Sequence, residues 1–158
     1  MISKKTTNGG RGFTMFELVI SFAILSILLA VILPPLIDFR RASLLNTDTQ
    51  SLVTLTNRAR VLSIASKDDS QYGVHLEAGK IVLFKGITYS VNDPTNETHT
   101  FGSGLTLSNI AINGGGSEVI FEKITGATTQ NATTTLLVTD TTASSTVVVG
   151  KTGIVTVN

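Results

Sequence analysis

The chain has 158 residues and no cysteine, so disulfide bonds, thiolate metal sites and cysteine nucleophiles are excluded. This length allows one domain together with a membrane anchor. The first 12 residues carry three basic side chains and no acidic one, whereas the remaining chain has a net charge of −2 and no run of basic residues. A nucleic acid partner is therefore not expected.

The N-terminal segment is short and basic. Lys4, Lys5 and Arg11 precede Gly12, and the apolar run of the chain begins directly after this glycine. A secretory signal peptide is cut after its apolar region, at small residues. Here the apolar run is followed by two prolines, and the glycine lies in front of it. The segment therefore differs from an ordinary secretory signal.

Residues 13–33 form an apolar run of 21 residues that contains no glycine or proline and a single charge, Glu17. A helix needs about 20 apolar residues to cross the hydrocarbon core of a bilayer. The run therefore predicts a membrane-spanning helix. Three basic residues precede it, whereas Arg40 and Arg41 beyond it are partly offset by Asp38. This bias favours an N-terminus in the cytoplasm and a head outside.

The single carboxylate in the apolar run needs an explanation. A charge at the centre of a membrane helix costs about 2.5–3.5 kcal/mol on insertion scales, and less near the edge. Glu17 could extend to the lipid headgroups, or it could meet a cationic partner inside an assembly. Its position alone does not separate these two interpretations.

Gly12, Phe13, Thr14 and Glu17, followed by the unbroken apolar run, resemble the class III signal of type IV pilins and type II secretion pseudopilins. The resemblance implies that a prepilin peptidase cuts between Gly12 and Phe13 and methylates the new amino group of Phe13. It also implies that Glu17 neutralises the amino terminus of a neighbouring subunit, because an amine and a carboxylate offset each other's burial. Thr14 and Pro34 occupy matching positions and are assigned to assembly as well.

Two prolines follow the apolar run. Pro34 and Pro35 either end the helix or kink a longer one, and the resemblance places Pro34 where pilin stems bend. Residues 36–66 favour continuation, because their apolar positions recur at helical spacing. The predicted buried stripe consists of Leu45, Leu52, Leu55, Ala59 and Leu62. The residues predicted on the other faces are Asn46, Asp48, Gln50, Asn57, Arg58 and Arg60.

From residue 71 the apolar period changes from helical spacing to strict alternation, which predicts short β-strands. The predicted strands are residues 71–77, 80–85, 87–91, 105–110, 118–121, 136–139, 146–149 and 154–157. Two polar segments, 92–99 and 126–135, are predicted to be loops. Together these elements predict an α+β fold in which one long helix packs against an antiparallel sheet.

The predicted organisation has four parts, and it resembles that of pilins. They are a leader at 1–12, an apolar helix at 13–35, an amphipathic helix at 36–66 and a β-rich head at 67–158. Residues 58–60, 72–74 and 153–155 also resemble the GspH/FimT-like subgroup of minor pseudopilins and minor pilins, through the sequences RAR, YGV and GIV.

No catalytic constellation, metal site or cofactor motif is found. The two histidines, His75 and His99, are far apart in sequence and are assigned to a solvent-facing strand position and to a polar loop. Oxygen ligands for calcium could come from a loop whose spacing does not match an EF-hand, so a plain polar loop is preferred. The residues of that loop are Asn92, Asp93, Asn96 and Glu97.

The sequence therefore predicts a non-enzymatic structural subunit of a type IV pilus or type II secretion pseudopilus, with a minor subunit preferred. The resemblance implies three partners: other pilin or pseudopilin subunits, a prepilin peptidase and an inner-membrane assembly platform. It also implies single-pass insertion in the inner membrane, then transfer to the filament. The alternative is a monomeric, membrane-anchored, β-rich binding module.

Overall fold

The computed structural model describes residues 12–139 and 141–158, so most of the predicted leader lies outside the described residues. It shows one long helix followed by β-strands, which confirms the predicted α+β class. Helix α1 is Met15–Ile64, and a short 3₁₀ turn follows at Lys67–Asp69. The strands are β1 Tyr72–Glu77, β2 Lys80–Lys85, β3 Glu97–Thr100, β4 Leu105–Ile112, β5 Glu118–Phe121, β6 Ala132–Val138, β7 Ser144–Val149 and β8 Val155–Val157.

Helix α1 includes Pro34 and Pro35, so the interpretation in which the helix ends at the prolines is wrong. The chain divides into two compact units, Met1–Phe39 and Arg40–Asn158, and α1 contributes residues to both. We refer to the second unit as the head.

In the first unit, every side chain from Gly12 to Phe39 is exposed. The large apolar residues of the run are between 41% and 87% exposed. In the part of the chain that the structure describes, α1 is the one helix long and apolar enough to cross a membrane. Such a continuous apolar surface requires either lipid or other helices around it.

The head contains two antiparallel sheets of four strands, in the orders β3-β2-β1-β5 and β4-β6-β7-β8. One hydrophobic core joins the second part of α1 to both sheets. The predicted helical stripe is confirmed, since Leu52 and Ala59 are fully buried and its other members are half-buried against this core.

The strand predictions are wrong at three places. Residues 97–99, predicted as loop, belong to β3 and pair with β2. Residues 132–135, also predicted as loop, belong to β6, where Ala132 and Thr134 are buried. Residues 87–91 form no strand. Both missed segments are rich in threonine, which favours strands for its β-branched shape rather than for its hydrophobicity.

Asp48 is also misplaced by the sequence pattern, because it is buried on α1 rather than solvent-facing. His99 Nε2 lies 3.0 Å from Asp48 Oδ1, and the backbone N–H of Gly102 donates to Asp48 Oδ2 at 2.6 Å. A buried carboxylate needs such partners. From the same strand, Glu97 Oε2 lies 2.8 Å from Arg58 Nη1, further along α1. Both contacts attach the edge strand β3 to α1.

The face of β1 and β2 opposite the main core carries a second, smaller apolar cluster. Val82 and Phe84 are buried there, and Tyr89 packs on Phe84 with 5.8 Å between ring centroids. A Cβ on Gly73 would lie 2.7 Å from Phe84 Cζ and 2.8 Å from the carbonyl oxygen of Val119. Glycine is therefore required beneath the Phe84 ring.

We expect Gly73→Ala to lower the free energy of unfolding of the head by about 1–3 kcal/mol, because the added methyl group overpacks a closed site. Gly79→Ala is the matched control, since a Cβ there meets nothing within 4 Å. Urea unfolding of both variants checks the prediction. Equal midpoints for the two variants would contradict the role assigned to Gly73.

Candidate processing and assembly site

Thr14 caps the N-terminus of α1. Its hydroxyl oxygen accepts from the backbone N–H of Glu17 at 3.2 Å, and Glu17 Oε2 accepts from the backbone N–H of Thr14 at 3.5 Å. The helix begins at the next residue, Met15. This reciprocal arrangement is a capping box, in which two side chains satisfy backbone donors that the first helical turn leaves unpaired.

The capping box adds a third interpretation of Glu17. Its carboxylate lies in the first turn of α1, where the helix dipole favours a negative charge. Sequence analysis missed this contact, although a threonine followed three residues later by a glutamate is its usual signal. Glu17 therefore stabilises its own helix, and its carboxylate remains exposed beside Phe13.

The predicted cleavage position lies directly in front of this cap. Phe13 is 81% exposed, and a Cβ on Gly12 would meet nothing within 4 Å. Gly12, Phe13, Thr14 and Glu17 also line one shallow surface groove. The structure thus brings these four predicted residues together. Pro34 lies 17 residues beyond Glu17 in the same helix, which corresponds to about 26 Å.

Two serines in the apolar run satisfy their own hydroxyl groups. Ser21 donates to the carbonyl oxygen of Glu17 at 2.7 Å, and Ser26 donates to that of Phe22 at 2.8 Å. These bonds within the helix give both serine hydroxyl groups an acceptor in an apolar environment. The run is therefore compatible with lipid despite its polar residues.

The oxygen atoms considered for calcium have partners of their own. Asp93 Oδ1 accepts from the backbone N–H and the hydroxyl of Thr95, and these bonds hold the pKa of Asp93 below its usual range. The Asn96 side-chain amide donates to the carbonyl oxygen of Ser90 at 2.7 Å. Within residues 12–139 and 141–158, no three potential metal ligands converge. These contacts explain the polar loop as a structural element.

His75 is half-buried rather than solvent-facing, so its predicted position is wrong. Its ring stacks on Tyr89 with 4.1 Å between centroids. Its two nitrogens lie 3.4 Å from a Glu77 oxygen and 3.6 Å from a Glu118 oxygen. These carboxylates lie at opposite nitrogens of the ring, so the three side chains do not surround one point. The arrangement fixes the segment around Tyr89 over the sheet.

Two carboxylates just beyond α1 attach to the sheet. The Tyr72 hydroxyl donates to Asp68, and with Lys85 it lowers the pKa of Asp68 below the ordinary 3.8. The hydrogen bond from Lys123 lowers the pKa of Asp69 in the same way. A lowered carboxyl pKa gives stabilisation that is present above the ordinary value and lost as the pH falls through the lowered value. These exposed contacts therefore weaken only below about pH 4, and their contribution is small.

We expect Thr14→Val to speed amide hydrogen exchange at residues 14–18, because loss of an N-cap costs about 1 kcal/mol, or roughly fivefold in opening. Thr14→Ser keeps the hydroxyl and should exchange at the wild-type rate. The measurement uses the full chain in detergent micelles. Identical exchange in the two variants would show that the cap contributes nothing.

Comparison with known proteins supports the same segment. A family model described as the prokaryotic N-terminal methylation motif matches residues 8–33. The match covers Gly12, Phe13, Thr14, Glu17 and the apolar run, which confirms the resemblance at the level of this motif. No curated protein and no solved structure gives a significant match. The motif supports a type IV pilin-like subunit.

Proposed function

We propose that the chain is a structural subunit of a type IV pilus or type II secretion pseudopilus. It is inserted in the inner membrane, cleaved between Gly12 and Phe13, N-methylated at Phe13 and then added to a filament. The observation that carries this proposal is the methylation motif at residues 8–33, which here leads directly into a capped helix with an exposed apolar surface.

The physical basis of assembly is lateral packing of apolar helices. Because every side chain of the apolar run is exposed in the single chain, transfer from lipid into a helical bundle replaces one apolar contact by another. Cleavage places a positive amine on Phe13, close to the exposed Glu17 carboxylate. Pairing this amine with the Glu17 of a neighbouring subunit removes two otherwise unpaired charges from the apolar interior.

The finer assignment is a minor subunit of the GspH/FimT-like subgroup. Three resembling sequence segments support it, and two of them have defined structural roles. Gly73 lies beneath Phe84, and a Cβ on Gly153 would collide with Arg60. In this assignment the head presents a surface to neighbouring subunits or to cargo.

Mass spectrometry of the mature protein tests the proposal. We expect an N-terminus at N-methyl-Phe13 in cells that contain a prepilin peptidase. A matched chain with Gly12→Val should retain its leader, because the peptidase acts after the glycine of the motif. An intact Met1 in the functioning wild-type protein would contradict the proposal and favour the monomeric anchored module.

A further inference from the structure

A surface near the end of α1 combines one arginine with exposed apolar side chains. Arg60 supplies its charge, and the loop that carries Ile124 and Gly126 reaches the end of α1 through hydrogen bonds to Ser63 and Arg60. The exposed fractions of its apolar members are 58% for Val61, 38% for Ile64, 76% for Ile124 and 55% for Ile154. We call these five residues the Arg60 patch. Arginine is enriched among the residues that dominate binding at protein interfaces.

Two glycines hold the Arg60 side chain in place. Its Nε donates to the carbonyl oxygen of Gly126 at 3.3 Å. A Cβ on Gly126 would lie 3.0 Å from Arg60 Cγ, and one on Gly153 would lie 2.9 Å from Arg60 Nε. Both glycines have a positive φ. The hydrogen bond and the close approach of the two loops restrict the Arg60 side chain, which reduces the side-chain entropy lost when it binds a partner.

The backbone of the patch also holds an apolar side chain outward. Ile124 has a φ of +69°, an unfavourable conformation for a β-branched residue. Its N–H donates to the carbonyl oxygen of Ser63 at 3.1 Å, which fixes this loop to the end of α1. The fold thus keeps Ile124 exposed at the end of α1 rather than turning it into the core.

The charges indicate which partner fits. Within the described ranges, Arg60 makes no ion pair with a carboxylate. Among the same residues, Asp38 is the one side-chain carboxylate with neither an ion pair nor a hydrogen bond, and it lies between Ile37, 49% exposed, and Phe39, 71% exposed. Within the same ranges Arg40 and Arg41 also make no ion pair, but of these three arginines only Arg60 has its guanidinium held by a hydrogen bond. Arg60 therefore offers the unpaired Asp38 carboxylate a positioned partner of opposite charge.

We propose that the Arg60 patch of one copy binds the Ile37–Asp38–Phe39 segment of a second copy. The guanidinium pairs with the Asp38 carboxylate, and Phe39 packs on the apolar members of the patch. Each copy carries both surfaces, so the contact is head-to-tail and repeats along a filament. This inference rests on the proposed function, since it needs two copies to lie side by side.

Charge exchange tests the pair in cells that process the wild-type chain. We measure the fraction of mature full-length chain that sediments with filaments. Asp38→Arg and Arg60→Glu should each lower it about tenfold, and the double variant should recover to within about twofold of wild type. The control combines Asp38→Arg with Arg58→Glu. Arg58 pairs with Glu97 of its own chain, so this combination should not recover.

Disulfide formation provides a second test that does not depend on the stability of the charge variants. Because the chain has no cysteine, Phe39→Cys in one tagged copy and Ile64→Cys in another form a mixed disulfide only between copies. We expect at least about fivefold more mixed disulfide than with Ile87→Cys, which lies on an exposed loop outside the patch. Equal yields, or a double charge variant no better than the single ones, would overturn the proposal.

The N-terminal mass in the same samples separates the two proposals. If the wild-type chain is processed and sediments, but the double charge variant does not recover and the cysteine variants form no mixed disulfide, only the contact between Asp38 and Arg60 is contradicted. A wild-type chain that keeps its leader and does not sediment contradicts the proposed function, and the contact between copies with it.

Discussion

Glu17→Gln and Glu17→Ala are both expected to insert and to be cleaved normally, yet to reach filaments at less than about one hundredth of the wild-type level. Removing one partner of a buried charge pair costs about 3–5 kcal/mol, because the other charge stays buried and uncompensated. In this protein the uncompensated charge would be the Phe13 amine of a neighbouring subunit. Fractionation of cells into membranes and sheared filaments, with the N-terminal mass of each, measures both steps.

The comparison of the two variants separates charge from capping. Glutamine can still accept from the Thr14 backbone N–H, so Glu17→Gln keeps the capping box and loses the charge. Alanine loses both. If the charge matters for assembly, the two variants should fail equally. Normal assembly of Glu17→Gln together with failure of Glu17→Ala would assign Glu17 to its own helix alone and would remove the pairing between subunits.

Much of the fold follows from apolar spacing. The long helix, the hairpin of β1 and β2, and β5 were predicted because their apolar residues recur at the period of a helix or a strand. Strand β3 escaped prediction because it is an edge strand, and its residues Glu97 and His99 face polar partners on α1. No local pattern distinguishes such a strand from a polar loop, because the α1 partners of Glu97 and His99 lie at least 39 residues away in sequence.

The division into two sheets is a second feature that the sequence did not reveal. The sequence of a turn between two consecutive strands is the same kind of signal whether the second strand joins the same sheet or the other one. Buried polar positions on α1 show the same difficulty, since Asp48 is buried only because His99 and Gly102 approach it from distant segments. Such contacts depend on tertiary structure, and a periodicity argument places charged residues outward by default.

The N-terminal motif could be recognised from the sequence because its residues are local, and the processing and assembly roles assigned to them stay predictions. Gly12, Phe13, Thr14 and Glu17 lie within six positions, and the motif depends on their order rather than on folding. What was missed is the reciprocal bond between Thr14 and Glu17. The Arg60 patch could not be predicted at all, since its loops approach α1 only in the folded head.

Gly153→Ala is expected to destabilise the head by about 3–5 kcal/mol. A Cβ there would overlap sterically with the Gly126 carbonyl oxygen and would also collide with the Arg60 side chain. Gly153 has a φ of +74°, so alanine would add backbone strain to this collision. The carbonyl group cannot retreat easily, because Gly126 also has a positive φ and lies against Ile64.

Gly150→Ala is the matched control in the same hairpin, since its Cβ would have no neighbour closer than 3.8 Å. Urea unfolding of residues 40–158, which contain the hydrophobic core, gives both free energies. Gly150→Ala should change stability by less than about 0.5 kcal/mol. A similar small change for Gly153→Ala would mean that the two loops separate freely, and Arg60 would then lack the fixed position that its contact with a second copy requires.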